Sequence, residues 1–185
     1  MKNSKGFNIV ELLIVIAIMG LLAATAAPGL TNLARKNRIE NFTRRIYSDL
    51  MNTRVMAMDR NMMHFVNFGA NQYTIYADTN ENQTLNTSAD TQVLSRSGPD
   101  LKPFTFSSGA AVRETITQDL GGTVEFNARG FAKGSGAASG AICVGHTTLK
   151  ARSSLNCIVV NATRIRMGRI DYNETCSVDN CDEIQ

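Results

Sequence analysis

Glu11 is a carboxylate placed where a carboxylate is costly, near the start of the apolar run Phe7 to Ala27, which holds no other charged side chain. A charge inside a lipid-compatible helix costs roughly 2.5 to 3.5 kcal/mol on insertion scales unless it finds a partner. Glu11 is therefore expected to have one. Elsewhere, Asp78, Asn80, Asn82 and Asp90 supply oxygen donors in a polar stretch whose D-x-N-x-N start is like that of a calcium loop. That pattern needs a glycine where this chain has Gln83, and a late glutamate that has no match, so turns closed by Asx hydrogen bonds are expected and no metal is assigned. Lys150, Arg152, Arg164, Arg166 and Arg169 form a basic run near the C-terminus. If Arg164 and Arg166 share a strand face they could meet phosphates, which makes DNA a candidate partner, with a solvated strand face as the alternative. The glycine-rich stretch Gly130 to Gly140 lacks the following helix and the Lys-Ser/Thr of a phosphate cradle, and is expected to be a mobile loop between strands. His64 and His146 have no convincing Ser or Cys nucleophile beside them. No catalytic constellation results, and neither enzymatic activity nor a cofactor is expected.

The four cysteines, Cys143, Cys157, Cys176 and Cys181, lie in the last quarter of the chain. An even number across the membrane from a basic leader reads as two disulfides in an oxidising compartment, with three connectivities open. The expected pairing is Cys143 with Cys157 and Cys176 with Cys181. Zinc is disfavoured because the spacings lack paired C-x2-C knuckles.

These residues need elements to hold them. Phe7 to Ala27 is 21 residues, about 31 Å of helix at 1.5 Å per residue, which matches a bilayer core of about 30 Å. Lys2 and Lys5 place its start on the cytoplasmic side. An ordinary secretory leader, cut near Ala23 to Ala27, is the competing reading, but an anion inside the apolar region gives such a leader nothing. The helical pattern continues past Pro28-Gly29, where a lost backbone hydrogen bond predicts a kink or local loosening. Ile39, Phe42, Ile46 and Leu50 form one apolar row at helical spacing, and Tyr47, Met51, Val55, Met58 and Met62 a second, with Asp49 among the charged residues off the stripe.

Beyond Arg60 the pattern turns to short β-branched segments. His64 to Phe68 and Gln72 to Ala77 flank Gly69-Ala70-Asn71 as a hairpin. Further strands are expected at Gln92 to Ser95, Phe104 to Ser107, Val112 to Thr117, Thr123 to Asn127, Gly140 to Val144, Asn156 to Val160 and Thr163 to Met167. The fold class is α+β: a long N-terminal helix, its first half transmembrane, whose second half packs against an antiparallel sheet. The segments are 1–6, leader; 7–28, membrane half of the helix; 29–62, amphipathic half; and 63–185, a β-rich head. The formal charge of +3 falls to +1 without residues 1–6, which carry Lys2 and Lys5, so composition alone does not advertise a nucleic-acid partner.

Lys5-Gly6-Phe7-x-x-x-Glu11 followed by an apolar helix resembles the leader of type IV prepilins and type II secretion pseudopilins. The resemblance implies cleavage between Gly6 and Phe7 by a membrane prepilin peptidase, N-methylation of Phe7, and assembly roles for Glu11 and for the helix-breaking Pro28. It also implies an inner-membrane protein with a periplasmic head that later joins other pilins in a filament. Met56 to Asn61, Tyr76 to Asn82, Thr123 to Gly130 and Met167 to Ile170 resemble, more loosely, the GspH/FimT-like minor pilins. That branch implies a structural minor pilin that primes or caps assembly; the alternatives are a DNA-binding uptake pilin and a secretion pseudopilin contacting exported protein. Gly168-Arg169-Ile170 is followed by Asp171 where DNA-uptake members carry a second arginine, a departure that counts against DNA.

Overall fold

A computed structural model describes residues 8–68, 72–97, 116–118, 122–134, 139–144, 154–171 and 174–183, with side chains described for all of these except 23–32, 34, 35, 97 and 116–118. Gly6, Phe7, the hairpin turn 69–71, the strand expected at 104–107, His146, Lys150 and Arg152 lie outside the described residues, as does the side chain of Pro28. Helix α1 runs Ile9–Asp59. The chain divides into two units, Met1–Arg35 and Lys36–Gln185.

In the second unit α1 buries Ile39, Thr43, Ile46, Leu50, Thr53 and Ala57. Those steps of four and three keep one face toward the sheets. The expected second row is only partly used: Tyr47 and Met51 pack half-buried against the core, while Val55 and Met58 are exposed. Small residues hold the contact line instead, and their hydroxyls are satisfied on the helix itself. Thr43 Oγ1 donates to Ile39 O at 2.9 Å and Thr53 Oγ1 to Asp49 O at 2.6 Å. Asp49, expected off the stripe, is buried. Tyr73 donates its hydroxyl hydrogen to Asp49 Oδ2 at 2.6 Å and Arg96 Nε lies 3.2 Å from the same oxygen, so a buried carboxylate ties the helix to two strands.

The helix stops at Asp59, short of the expected residue 62, because Asn61 takes a left-handed conformation (φ 51°). Met62 N–H then reaches Ala57 O at 3.2 Å and Asn61 N–H reaches Met58 O at 3.4 Å, the two bonds of a Schellman cap.

Ten strands follow among the described residues: β1 His64–Phe68, β2 Gln72–Ala77, β3 Thr91–Ser97, β4 Ile116–Gln118, β5 Thr123–Phe126, β6 Ala132–Gly134, β7 Gly140–Val144, β8 Cys157–Val160, β9 Ile165–Arg169 and β10 Asp182–Glu183. They form two antiparallel sheets where one was expected, in the orders β3-β2-β1-β5-β6 and β10-β9-β8-β7-β4. Both sheets share one core with α1, in which Val66, Ile75 and Val124 of the first meet Ile142, Ile158 and Val160 of the second. The glycine-rich stretch is not wholly loop, since Ala132–Gly134 pairs with β5.

The second sheet is buried on both faces. Ile142 and Ile158 face the main core, while Ala141, Cys143, Cys157 and Val159 form a second cluster with Ile170 and Cys181. The C-terminal tail covers that outer face, and the disulfides fix it there: Cys143–Cys176 and Cys157–Cys181, with Cα separations of 5.8 and 6.1 Å. This overturns the expected pairing. Cys143 and Cys157 are register partners on neighbouring strands. Directly opposed Cβ atoms sit about 4.5–5.5 Å apart, wider than the roughly 3.8 Å typical of a disulfide, so each sulfur bonds upward to the tail instead of sideways. Gly168 makes the fit possible, because a Cβ there would collide with Asp182 O and come within 2.8 Å of Cys181 Sγ.

Candidate functional site

The N-terminal unit is built for burial that the chain alone does not provide. Asn8 starts the helix as its cap, its Oδ1 accepting Val10 N–H at 3.3 Å, and Leu12 N–H reaches Asn8 O at 3.1 Å. Glu11 falls in the first turn, where a negative charge favours the helix dipole. From Ile9 to Leu22 the large apolar side chains are all exposed, between 44% for Val15 and 75% for Ile9, with no side of the helix covered. A helix apolar all round belongs in a lipid or protein interior. Glu11 is exposed among them, and its expected counter-ion, the amine of Phe7, lies outside the described residues. Among the described residues, no helix is long and apolar enough to cross a membrane, and the expected span 7–27 extends beyond them at Phe7 and, for side chains, at 23–27.

In the head, the described residues of the basic run, Arg164, Arg166 and Arg169, each face a carboxylate. Arg164 and Arg166 do reach one partner together, but it is Glu183: Arg164 Nη2 pairs with Oε1, and Arg166 Nη1 lies 3.3 Å from Oε2. Arg169 Nε lies 3.8 Å from Asp171 Oδ1. The residue that departs from the DNA-uptake signature is thus the one that faces Arg169. The tail supplies Glu183 because Cys157–Cys181 holds it beside β9, a long-range effect that no local sequence signal carries.

The polar loop after β2 is a set of Asx turns. Asp78 accepts Asn82 N–H at 3.2 Å and Gln83 N–H at 2.8 Å, Asn80 accepts Asn82 N–H at 3.1 Å, and Asn82 accepts Thr84 N–H at 2.9 Å. Asp90 Oδ2 accepts Asn86 N–H at 2.6 Å. Carboxylates and amides facing inward to their own backbone are poorly placed to ligate a cation, and among the described residues no group of three His, Cys, Asp or Glu side chains could hold a metal.

Among the described residues four ionisable groups respond to the fold, Glu40, His64, Tyr73 and Arg96. Burial pushes the His64 imidazole below its ordinary value, with Arg60 adding to the effect against a bond from Nδ1 to Met62 O, and Nε2 is buried without a partner. Burial acts against the charge of Glu40, but the hydroxyl and amide of Ser154 and the nearby Lys36 outweigh it and hold the carboxyl below its usual range.

A long N-terminal helix that leads into antiparallel sheets is a pilin-like α+β arrangement. Residues 1–27 match the prokaryotic N-terminal methylation motif, the signal of type IV pilins. The motif implies processing by prepilin peptidase, assembly with other pilins, and a chain that is membrane-anchored and then pilus-associated. No curated protein and no solved structure matches the chain.

Proposed function

We propose that this chain is a structural minor pilin. Prepilin peptidase cuts between Gly6 and Phe7, Phe7 is N-methylated, and segment 7–27 holds the subunit in the inner membrane with its head in the periplasm until it enters a type IV pilus, where it primes or caps assembly. The observation that carries this reading is the methylation motif set on a helix whose apolar side chains are exposed on every side. Glu11 acts by neutralising the amine that cleavage creates at Phe7, in its own subunit or the next, because both charges would otherwise be stranded in low dielectric. The pilin role includes no catalysis. The DNA-receptor alternative loses support because Arg164, Arg166 and Arg169 already face carboxylates.

Mass analysis of the native N-terminus tests the processing step: an N-methylated Phe7 is expected, and an N-terminus near Ala27 would overturn it. Glu11→Val tests the pairing, with normal cleavage expected and incorporation into filaments lowered at least tenfold; undiminished incorporation would remove the role of Glu11. A pseudopilin of a secretion system has the same signal, and companion genes of a pilus cluster or of a secretion operon separate the two.

A further inference from the structure

Five Asn-x-Ser/Thr triplets stand in the chain, at Asn41, Asn82, Asn86, Asn161 and Asn173, none with proline in the middle. That triplet is the acceptor pattern for N-linked sugar, a bulky group that needs a surface position. The fold sorts them, and Asn173 lies outside the described residues. Asn41 is exposed on α1, but the hydroxyl of its triplet is not: Thr43 is fully buried and donates to Ile39 O at 2.9 Å. Asn161 is half-buried after β8, and the backbone of its triplet is held by three partners. Asn161 N–H reaches Arg164 O at 2.9 Å, Ala162 O accepts Ala132 N–H at 2.8 Å, and Thr163 O accepts Arg54 Nη1 at 2.9 Å.

Asn82 and Asn86 are placed differently. Both lie in the connection between β2 and β3, at one edge of the first sheet. Buried Asp78 and Asp90 close its neck, together with Thr79 Oγ1 donating to Ala89 O at 3.2 Å. Between these carboxylates residues 79–89 are exposed, except for half-buried Leu85. Asn82 has the better geometry. Its Oδ1 accepts both the N–H and the hydroxyl of Thr84, each at 2.9 Å, which holds the carboxamide oxygen inside the turn. Among the described residues its Nδ2 donates to nothing. Left-handed backbone at Glu81 and Gln83, φ 55° and 59°, bends the chain sharply on both sides of it, and Asp78 holds that bend through the N–H groups of Asn82 and Gln83. Asn86 Oδ1 accepts only Ser88 N–H, at 3.2 Å, and the Ser88 hydroxyl makes no bond to it.

We propose that Asn82 is an N-glycosylation site, with a lipid-pyrophosphate-linked oligosaccharide as the class of donor. This rests on the periplasmic head proposed above, since the acceptor pattern is used on secreted chains. Nδ2 forms a bond to the anomeric carbon of the sugar, and the bond from that carbon to the pyrophosphate oxygen breaks. The lipid pyrophosphate leaves with the electron pair, and one Nδ2 proton passes to a base of the transferase. The product keeps Oδ1 as an acceptor, so both bonds from Thr84 survive the reaction and the fold of the loop is retained.

The test is mass spectrometry of the chain purified from cells that make the filament, with electron-transfer fragmentation so that a glycan stays on its residue. A glycan on Asn82 is expected. Its occupancy falls at least tenfold in Thr84→Val and returns in Thr84→Ser, with the melting temperature of the head unchanged in both because Thr84 is exposed. An unmodified Asn82 overturns the inference, as does sugar confined to Ser or Thr oxygens or to Asn173, or an occupancy that Thr84→Val leaves intact. The N-terminus is read in the same sample. N-methylated Phe7 together with a bare Asn82 removes this inference and leaves the pilin reading standing, whereas a glycan on Asn82 with an uncut leader does the reverse.

Discussion

Of the four acidic residues on α1, Asp49 and Glu11 have opposite circumstances. Asp49 is buried, and the Tyr73 hydroxyl and the Arg96 guanidinium share its Oδ2. Glu11 is exposed among exposed leucines and isoleucines. The same contrast holds for the apolar side chains around them: Ile46 and Leu50 are fully buried, whereas Leu12 and Leu13 are more than half exposed. The second stretch of the helix is completed by its own chain, and the first is left for an environment the chain does not contain. A helix half can thus be read as a folding element or as an assembly element by asking who covers it.

The comparison can be broken most sharply by truncating leucines. Leu50→Ala is expected to cost about 2–5 kcal/mol of head stability, since it empties a buried site. Leu13→Ala is expected to leave the melting transition of the head unchanged, and equal losses in thermal melts of the two variants would end the distinction. Next comes the tail. Opening Cys157–Cys181, which closes a loop of sequence separation 24, is expected to cost about 3 kcal/mol. Calorimetry of Cys157→Ser/Cys181→Ser against the oxidised chain measures it.

Asp49→Ala should cost about 1.5–3 kcal/mol, because a hydrogen bond to a charged group is lost and the Tyr73 hydroxyl stays buried. Denaturant melts report this, and a change below about 0.5 kcal/mol would mean that the buried acid resembles Glu11 in contributing nothing to the isolated fold. The smallest effect is a pH dependence. His64 is held below its ordinary value of 6.5, so the unfolded chain binds the proton more readily. Its contribution is full above pH 6.5 and is lost as pH falls from there toward the lower folded value. His64→Leu should flatten that part of the stability–pH curve, and a curve unchanged by the substitution would show that the ring does not titrate on unfolding.

Much of this architecture was readable from local pattern. His64–Phe68, Gln72–Ala77 and Gly140–Val144 are strands with the boundaries that alternation and β-branching suggest. The two-residue β10, the short β6 and the split into two sheets were not readable, because strands this short hold only through their partners. The burial of Asp49 was equally hidden, since its partners lie 24 and 47 residues away in sequence. Val55 and Met58 look like core residues by type and spacing, and only the sheet's position shows that they are exposed.

By itself the sequence determined the signal at Lys5 to Glu11, because a peptidase recognition motif and an apolar helix are properties of contiguous residues. It also determined the change from helix to strands after Arg60, through the switch in hydrophobic period. Only the tertiary structure decided which cysteines pair and which arginines meet Glu183. Those outcomes depend on the tail being laid across β7, β8 and β9, and distances between strands and tail are set by packing, not by neighbours along the chain.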